Sequence, residues 1–142
     1  MKIRTPFAVA AILAAVAAPG FAKEIKGAAI LDHACGKVSV QNMKLVHDGK
    51  MAEAVKLGTK EMQDQWNAMP ASDREMMSGM MKEMSVTGEQ FSADIKAGGV
   101  LAVEGEDATL TVKQEKKDEN GSSTSTMTQR FKVAGATCAI SH

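Results

Sequence analysis

The chain has 142 residues, with 17 basic and 17 acidic side chains, so its formal net charge at neutral pH is zero. Its size is that of one ordinary domain, and no cluster of lysines and arginines stands out. The composition therefore excludes nucleic acid as a natural partner and argues against a polybasic helix at a membrane surface.

The N-terminal segment, residues 1–22, has the pattern of a secretory signal peptide. Lys2 and Arg4 precede an unbroken apolar run over residues 7–18, and small residues follow it. The run is too short for a membrane span. We predict cleavage after residue 22, leaving residues 23–142 as a single periplasmic or secreted domain with no membrane span. Loss of the two leader cations leaves 15 basic and 17 acidic residues. The alternative is an uncleaved anchor helix.

The two cysteines are expected to form a disulfide. Cys35 and Cys138 are an even number in a chain predicted to reach an oxidising compartment, where disulfides persist. The nearby His33 and His142 leave a second interpretation open, a zinc site with two thiolates and two imidazoles. Its ligand spacings match no known zinc finger. Free thiols are the third alternative.

Apolar residues in the first half of the chain recur at helical spacing. A helix over residues 37–47 is predicted to end at Asp48-Gly49, because glycine adopts the left-handed cap conformation without steric cost. A second helix over residues 51–69 is predicted to end before Pro70. Its apolar face contains Met51, Val55, Gly58, Met62, Trp66 and Met69.

A third helix, residues 73–84, contains the stretch MMSGMMKEM, in which five of nine residues are methionine. Ser72 and Glu75 match a capping box at its start. All five methionines fall on one side of the helical wheel: Met76, Met77, Met80, Met81 and Met84. We predict that this stripe is buried against the sheet and against the methionines of the second helix.

After Gly88 the apolar pattern alternates, which is typical of strands. We predict five strands, over residues 91–97, 100–104, 108–115, 122–133 and 136–141, with a charged loop at 116–121. The predicted fold is α+β, with N-terminal helices packed on a curved antiparallel sheet whose threonine-rich face meets water. Cys138 shares a face with Ile140 and would point toward the helices. This placement supports the disulfide, since Cys35 directly precedes the first helix.

Four stretches carry a resemblance to a known group of proteins: HDGKMAEAVKL (47–57), QWNAMPASDRE (65–75), VEGEDATLTV (103–112) and TCAIS (137–141). Together they resemble the nuclear-transport-factor-2-like superfamily, in particular its exported branch of unknown function related to lumazine-binding-like domains. The superfamily also includes the ketosteroid-isomerase-like cone folds. Such chains commonly end in Gly-x-Trp-x-Ile, and here Cys138 takes the position of the Trp.

The resemblance implies a conical cavity between a bent sheet and the helices. Enzymes of the superfamily place Asp, His or Tyr in that cavity, but this chain has no tyrosine. His33, His47 and His142 lie near predicted element ends, and no GxSxG, HExxH or phosphate-binding motif occurs. No catalytic residue is therefore assigned and no cofactor is expected. A hydrolase or isomerase of the cone-fold type is kept as a further alternative.

The methionine content directs the functional prediction. We expect a soluble exported binding or accessory domain that takes a small apolar ligand or another exported protein, because methionine adapts to varied apolar surfaces. A homodimer is left open. The alternative is a periplasmic Cu(I)-binding protein, since thioethers are soft ligands and Met76, Met80 and Met84 would align along one helix. The predicted apolar pocket or interface consists of Met62, Trp66, Met76, Met77, Met80, Met81 and Met84.

Overall fold

The structure, a computed structural model, describes residues 23–142, which form six helices and a five-stranded sheet. The predicted signal peptide lies outside the described residues. Neighbouring strands pair antiparallel in the order β1-β2-β3-β4-β5, and the sheet is not closed. The predicted α+β class is therefore confirmed. Among the described helices, none is long and apolar enough to cross a membrane.

The elements have the following bounds. The strands are β1 (Lys23–Lys26), β2 (Val100–Glu104), β3 (Asp107–Asp118), β4 (Gly121–Ala134) and β5 (Thr137–Ser141). A 3₁₀ helix (Gly27–Asp32) follows β1, and the α-helices are α1 (Ala34–His47), α2 (Met51–Val55), α3 (Lys60–Ala68), α4 (Ala71–Met84) and α5 (Gly88–Gly98).

The core lies between one face of the sheet and an inner layer of helices. The helices of this layer are α1, α5 and the 3₁₀ helix, which contact one another and the sheet. Alternate residues of β3 point into this layer, as expected for a strand with one buried face. The core cluster contains Ile30, Cys35, Phe91, Ile95, Leu101, Ala108, Leu110, Val112, Phe131, Cys138 and Ile140.

The disulfide between Cys35 and Cys138 is present, with 5.1 Å between the two Cα atoms, so this prediction is confirmed. It joins the N-terminus of α1 to β5 across the core. The His33 side chain caps α1 instead of binding a metal, because its Nδ1 accepts a hydrogen bond of 3.1 Å from the Cys35 N–H. The alternative zinc site is therefore wrong, since both thiols are used in the disulfide.

Residues 91–97 belong to helix α5, so the strand predicted there is wrong. Phe91 and Ile95 are both fully buried. A separation of four residues places side chains on one face in a strand and in a helix alike, so these two positions do not discriminate. The discriminating residue is Thr87, the N-cap of α5, whose hydroxyl accepts a 3.1 Å hydrogen bond from the Gln90 N–H.

The single helix predicted over residues 51–69 is interrupted, because β5 forms hydrogen bonds with its middle. The Ile140 N–H donates to the Leu57 carbonyl at 3.0 Å, and the Thr59 N–H donates to the Ile140 carbonyl at 2.8 Å. Gly58 lies between these two bonds and is buried. The main chain therefore turns toward the sheet edge here, and α3 starts anew after its N-cap, Thr59.

Helix α4 starts at Ala71, earlier than predicted, and its N-cap residue is Pro70. Ser72 consequently lies inside the first turn, and no side chain makes a capping hydrogen bond. The predicted capping box of Ser72 and Glu75 is therefore wrong. Pro70 separates α3 from α4, because its ring fixes φ and it has no N–H to continue the preceding helix, and α4 begins directly after it.

Candidate functional site: a methionine-lined groove

The five methionines of α4 are exposed, so the predicted burial of this stripe is wrong. No residue of α4 is buried. The helix packs mainly against α1, whereas α3 packs against α2, so the two methionine-bearing helices do not share the predicted interface. The exposed fractions are 64% for Met76, 38% for Met77, 55% for Met80, 38% for Met81 and 61% for Met84.

The exposure of these methionines changes the expected effect of mutating them. We expect Met80→Ala to change the free energy of unfolding by less than about 0.5 kcal/mol, because the side chain is exposed and alanine favours helix. The matched control is Ile95→Ala in α5, where loss of a buried side chain typically costs about 2–5 kcal/mol. Urea unfolding of both variants measures the difference. Destabilisation by Met80→Ala as large as that of the control would mean that the stripe is buried.

A groove with a volume of about 500 Å³ opens between α1, α4 and the distal part of the β3–β4 hairpin. Its apolar lining comes mainly from four methionines on three elements: Met43 of α1, Met81 and Met84 of α4, and Met127 of β4. Among the described lining residues only Lys116 carries a charge. The groove is thus a largely uncharged, thioether-rich surface continuous with the exposed side of α4.

The β3–β4 hairpin supplies the floor of the groove because it extends beyond the rest of the sheet. The pairing of β2 with β3 ends at Thr111, and the pairing of β5 with β4 begins at Arg130. Past these points the hairpin continues as a two-stranded ribbon. Its base is held to α1, where the buried Ser39 hydroxyl donates a hydrogen bond to the Gln129 side-chain carbonyl.

The end of α4 is also held near α1. His47 Nδ1 and the Ser85 hydroxyl lie 3.2 Å apart, within hydrogen-bonding distance.

The ion pair between Lys132 and Asp107 lies on the opposite face of the sheet. The hydrogen bond from Lys132 Nζ to Asp107 raises the pKa of Lys132. The charges of that pair therefore do not contribute to the groove.

The structure brings together only part of the predicted pocket. Met81 and Met84 line the groove, and Met76, Met77 and Met80 lie on the rest of the exposed α4 surface. The other two predicted members, Met62 and Trp66, lie on α3, where Trp66 is buried and Met62 is partly buried against the core. Two groove residues were missed by the prediction, although both lie at apolar positions of their elements: Met43 and Met127.

Comparison of the chain with known protein families, with curated proteins and with solved structures gives no match. The fold and the groove define a small α+β protein with an exposed apolar surface on one helix. Its function is therefore inferred from the geometry and chemistry of that surface.

Proposed function

We propose that the protein is an exported binding or accessory protein that holds an apolar segment of another exported protein in the methionine groove. One observation carries the proposal. Five thioether side chains on α4 are exposed, and no element within residues 23–142 buries them. An apolar surface of this kind on a soluble domain typically marks an interaction site. Methionine suits such a site because its unbranched, polarizable side chain adapts to different apolar partners.

The shape of the surface favours a protein segment over a small ligand. The groove itself has a volume within the usual range for ligand pockets, about 300–1,000 Å³. The apolar surface, however, continues along α4 past the groove, through Met80 and Met77 to Met76. An occupant that covers all of it must be longer than a small molecule. Export is supported by the leader pattern of residues 1–22.

Site-specific photo-crosslinking tests the proposed function. A benzophenone amino acid is placed at Met84 in the groove, at Met80 on the adjoining surface, and at Lys132 on the opposite sheet face. We expect one and the same protein to be crosslinked from both methionine positions and not from the control position. Equal crosslinking from all three positions, or none from Met84 and Met80, would contradict the proposed docking surface.

A Cu(I) site is the second candidate, and a specific observation favours it. Met76, Met80 and Met84 are each more than half exposed, at successive i, i+4 positions of one helix. Exposed thioethers are available as ligands, and soft thioethers favour Cu(I). Met43 and Met127 add two further sulfurs across the groove. The same side chains therefore fit either an apolar partner or a soft monovalent cation.

Replacing Met84 by leucine separates the two candidates, because it keeps the apolar volume and removes the sulfur. We expect the Met84→Leu variant to be crosslinked from Met80 as the parent protein is, because apolar docking does not need the sulfur. A Cu(I) titration against a competing chelator is run on both proteins. Stoichiometric Cu(I) binding that Met84→Leu abolishes would instead favour the copper site.

An enzyme of the cone-fold type has less support. The space between the sheet and the inner helices, where a cone fold would hold its substrate, contains Phe91 and Phe131, and both side chains are buried. The groove lies outside this core. The resemblance to the nuclear-transport-factor-2-like superfamily remains a prediction.

A further inference from the structure

The outer edge of β4 is free where it borders the groove. β5 pairs with β4 over Arg130–Ala134 only. Residues 121–129 therefore pair with β3 on one side and, within the described part of the chain, with no strand on the other. A free strand edge offers main-chain N–H and C=O groups to an added strand.

The end of β4 that pairs with β5 shows in which direction each main-chain N–H and C=O group along β4 points. Ile140 of β5 directs its N–H and C=O away from β4, toward Leu57 and Thr59. Its cross-strand neighbour Phe131 therefore occupies a non-hydrogen-bonded position toward β5, and its own N–H and C=O point toward β3. The β3–β4 register is continuous to the turn, so this alternation holds along the whole hairpin.

The same alternation sends the N–H and C=O groups of Thr126 and Thr128 to the free edge. Both threonines line the groove together with Met127. Side chains alternate between the two faces of a strand, so the threonine side chains point away from the face that bears Met127. Met127 therefore reaches the groove with its side chain, and the two threonines reach it with their main chain. The groove combines thioethers with a row of strand-edge donors and acceptors.

We propose that the groove takes an extended segment of a partner protein as an added strand along β4. The inference rests on the proposed function and specifies the form of the partner. The added segment would hydrogen-bond to Thr126 and Thr128 with its main chain, and its alternate side chains would fall on the methionines. The five consecutive residues Ser125–Gln129 that line the groove match an extended segment of about 17 Å.

The lining of the groove defines the chemistry of this segment. Alternate positions should be apolar, because the methionines line the groove from three elements. An acidic residue near one end would complement Lys116, the one charge among the described lining residues.

The two edges of the ribbon also differ. The β3 edge carries Lys113 and Lys117, charges of the kind that prevent strand addition, whereas residues 121–129 of β4 carry none.

A second copy of the chain fits the groove less well. If a second copy docked through its own β4, the strand entering the groove would be residues 121–129, GSSTSTMTQ, of that copy. Met127 is the only large apolar residue in that sequence, so pairing between two copies would place hydroxyl groups against the methionines. A partner with regularly alternating apolar residues fills the same space without leaving the thioethers against polar groups.

Selection of random peptides displayed on phage, with the purified protein as bait, tests the inference. We expect the selected peptides to share apolar residues at every second position and an acidic residue at one end. A fluorescently labelled synthetic copy of the strongest binder is then titrated. Thr126→Pro removes one N–H from an edge position that tolerates proline, and should weaken binding about tenfold. The matched control Thr126→Val keeps the N–H and should bind as the parent protein does.

A second measurement does not depend on how well the proline variant folds. In the parent protein, saturating peptide should slow amide hydrogen exchange at Thr126 and Thr128, the two groove-lining positions whose N–H groups face the free edge. Exchange that stays unchanged while the peptide is bound would overturn strand addition. Selected peptides with apolar residues at helical spacing would overturn it as well.

The variants also separate this inference from the proposed function. Met84→Lys places a charge in the groove. It should abolish peptide binding whether the peptide binds as an added strand or by apolar contacts alone. Loss of binding with Met84→Lys but not with Thr126→Pro would overturn strand addition and leave apolar docking in place. Binding that neither substitution affects would overturn both. A dimer of the parent protein that Thr126→Pro converts to monomer would assign the edge to a second copy and overturn the inference.

Discussion

Loss of the Cys35–Cys138 disulfide is expected to lower the free energy of unfolding by about 2–5 kcal/mol. The bond joins residues separated by 103 positions, so breaking it releases a long loop in the unfolded chain. In the chain-entropy account, closure of a loop of this length contributes up to about 4–5 kcal/mol. A domain of this size has a net stability of about 5–15 kcal/mol, so the loss is a large part of the total.

Thermal unfolding with and without reductant measures this effect. We expect reduction to lower the melting temperature by roughly ten degrees. The control is the double variant Cys35→Ala with Cys138→Ala, which should melt near the reduced parent and should not respond to reductant. Two freely titrating thiols in the native protein would rule out the bond.

Gly36→Ala is expected to destabilise the protein by about 3 kcal/mol or more. Gly36 lies in the first turn of α1, directly after the disulfide cysteine, and is buried. A Cβ at this position would lie 1.8 Å from the carbonyl oxygen of Ile30 in the 3₁₀ helix. That atom belongs to the main chain and cannot rotate away, so the 3₁₀ helix and α1 would have to separate.

Gly79→Ala is the matched control for this substitution. Gly79 lies within α4, and a Cβ there would meet nothing within 4 Å. Alanine favours helix over glycine by about 0.5–1 kcal/mol, so this variant should be more stable than the parent. Urea unfolding measures the free energy of unfolding of both variants. We expect the same glycine-to-alanine change to lower it at Gly36 and to raise it at Gly79. Similar effects of both substitutions would contradict the close approach at Gly36.

How far the sequence predicts the fold depends on whether local and long-range signals agree. Strands β2 to β5 were predicted because their apolar alternation coincides with burial on one sheet face. Helix α5 was missed because Phe91 and Ile95 fit both periods. The spacing of Thr87 and Gln90 is typical of a helix start and is the local signal that favours a helix there. The break at Gly58 depends on hydrogen bonds to β5, which no local pattern reports.

The site was only partly predictable for a related reason. The spacing of the α4 methionines predicts correctly that they share one face, because helix geometry fixes their directions. It does not predict whether another element covers that face, which depends on where α4 packs. Met43 and Met127 join Met84 around the groove through tertiary structure alone. The free main-chain edge of β4 follows from which strands pair, so the residue types along β4 do not predict it.

The long covalent loop closed by Cys35 and Cys138 has a consequence for proteolysis. It encloses all of α2 to α5 and β2 to β4. A single peptide-bond cleavage anywhere in these elements leaves the two fragments covalently joined, with α1 and β5 still linked. A nick in the connection between α4 and α5, beside the groove, would therefore not release either half of the molecule. Two cuts would be needed to free a fragment.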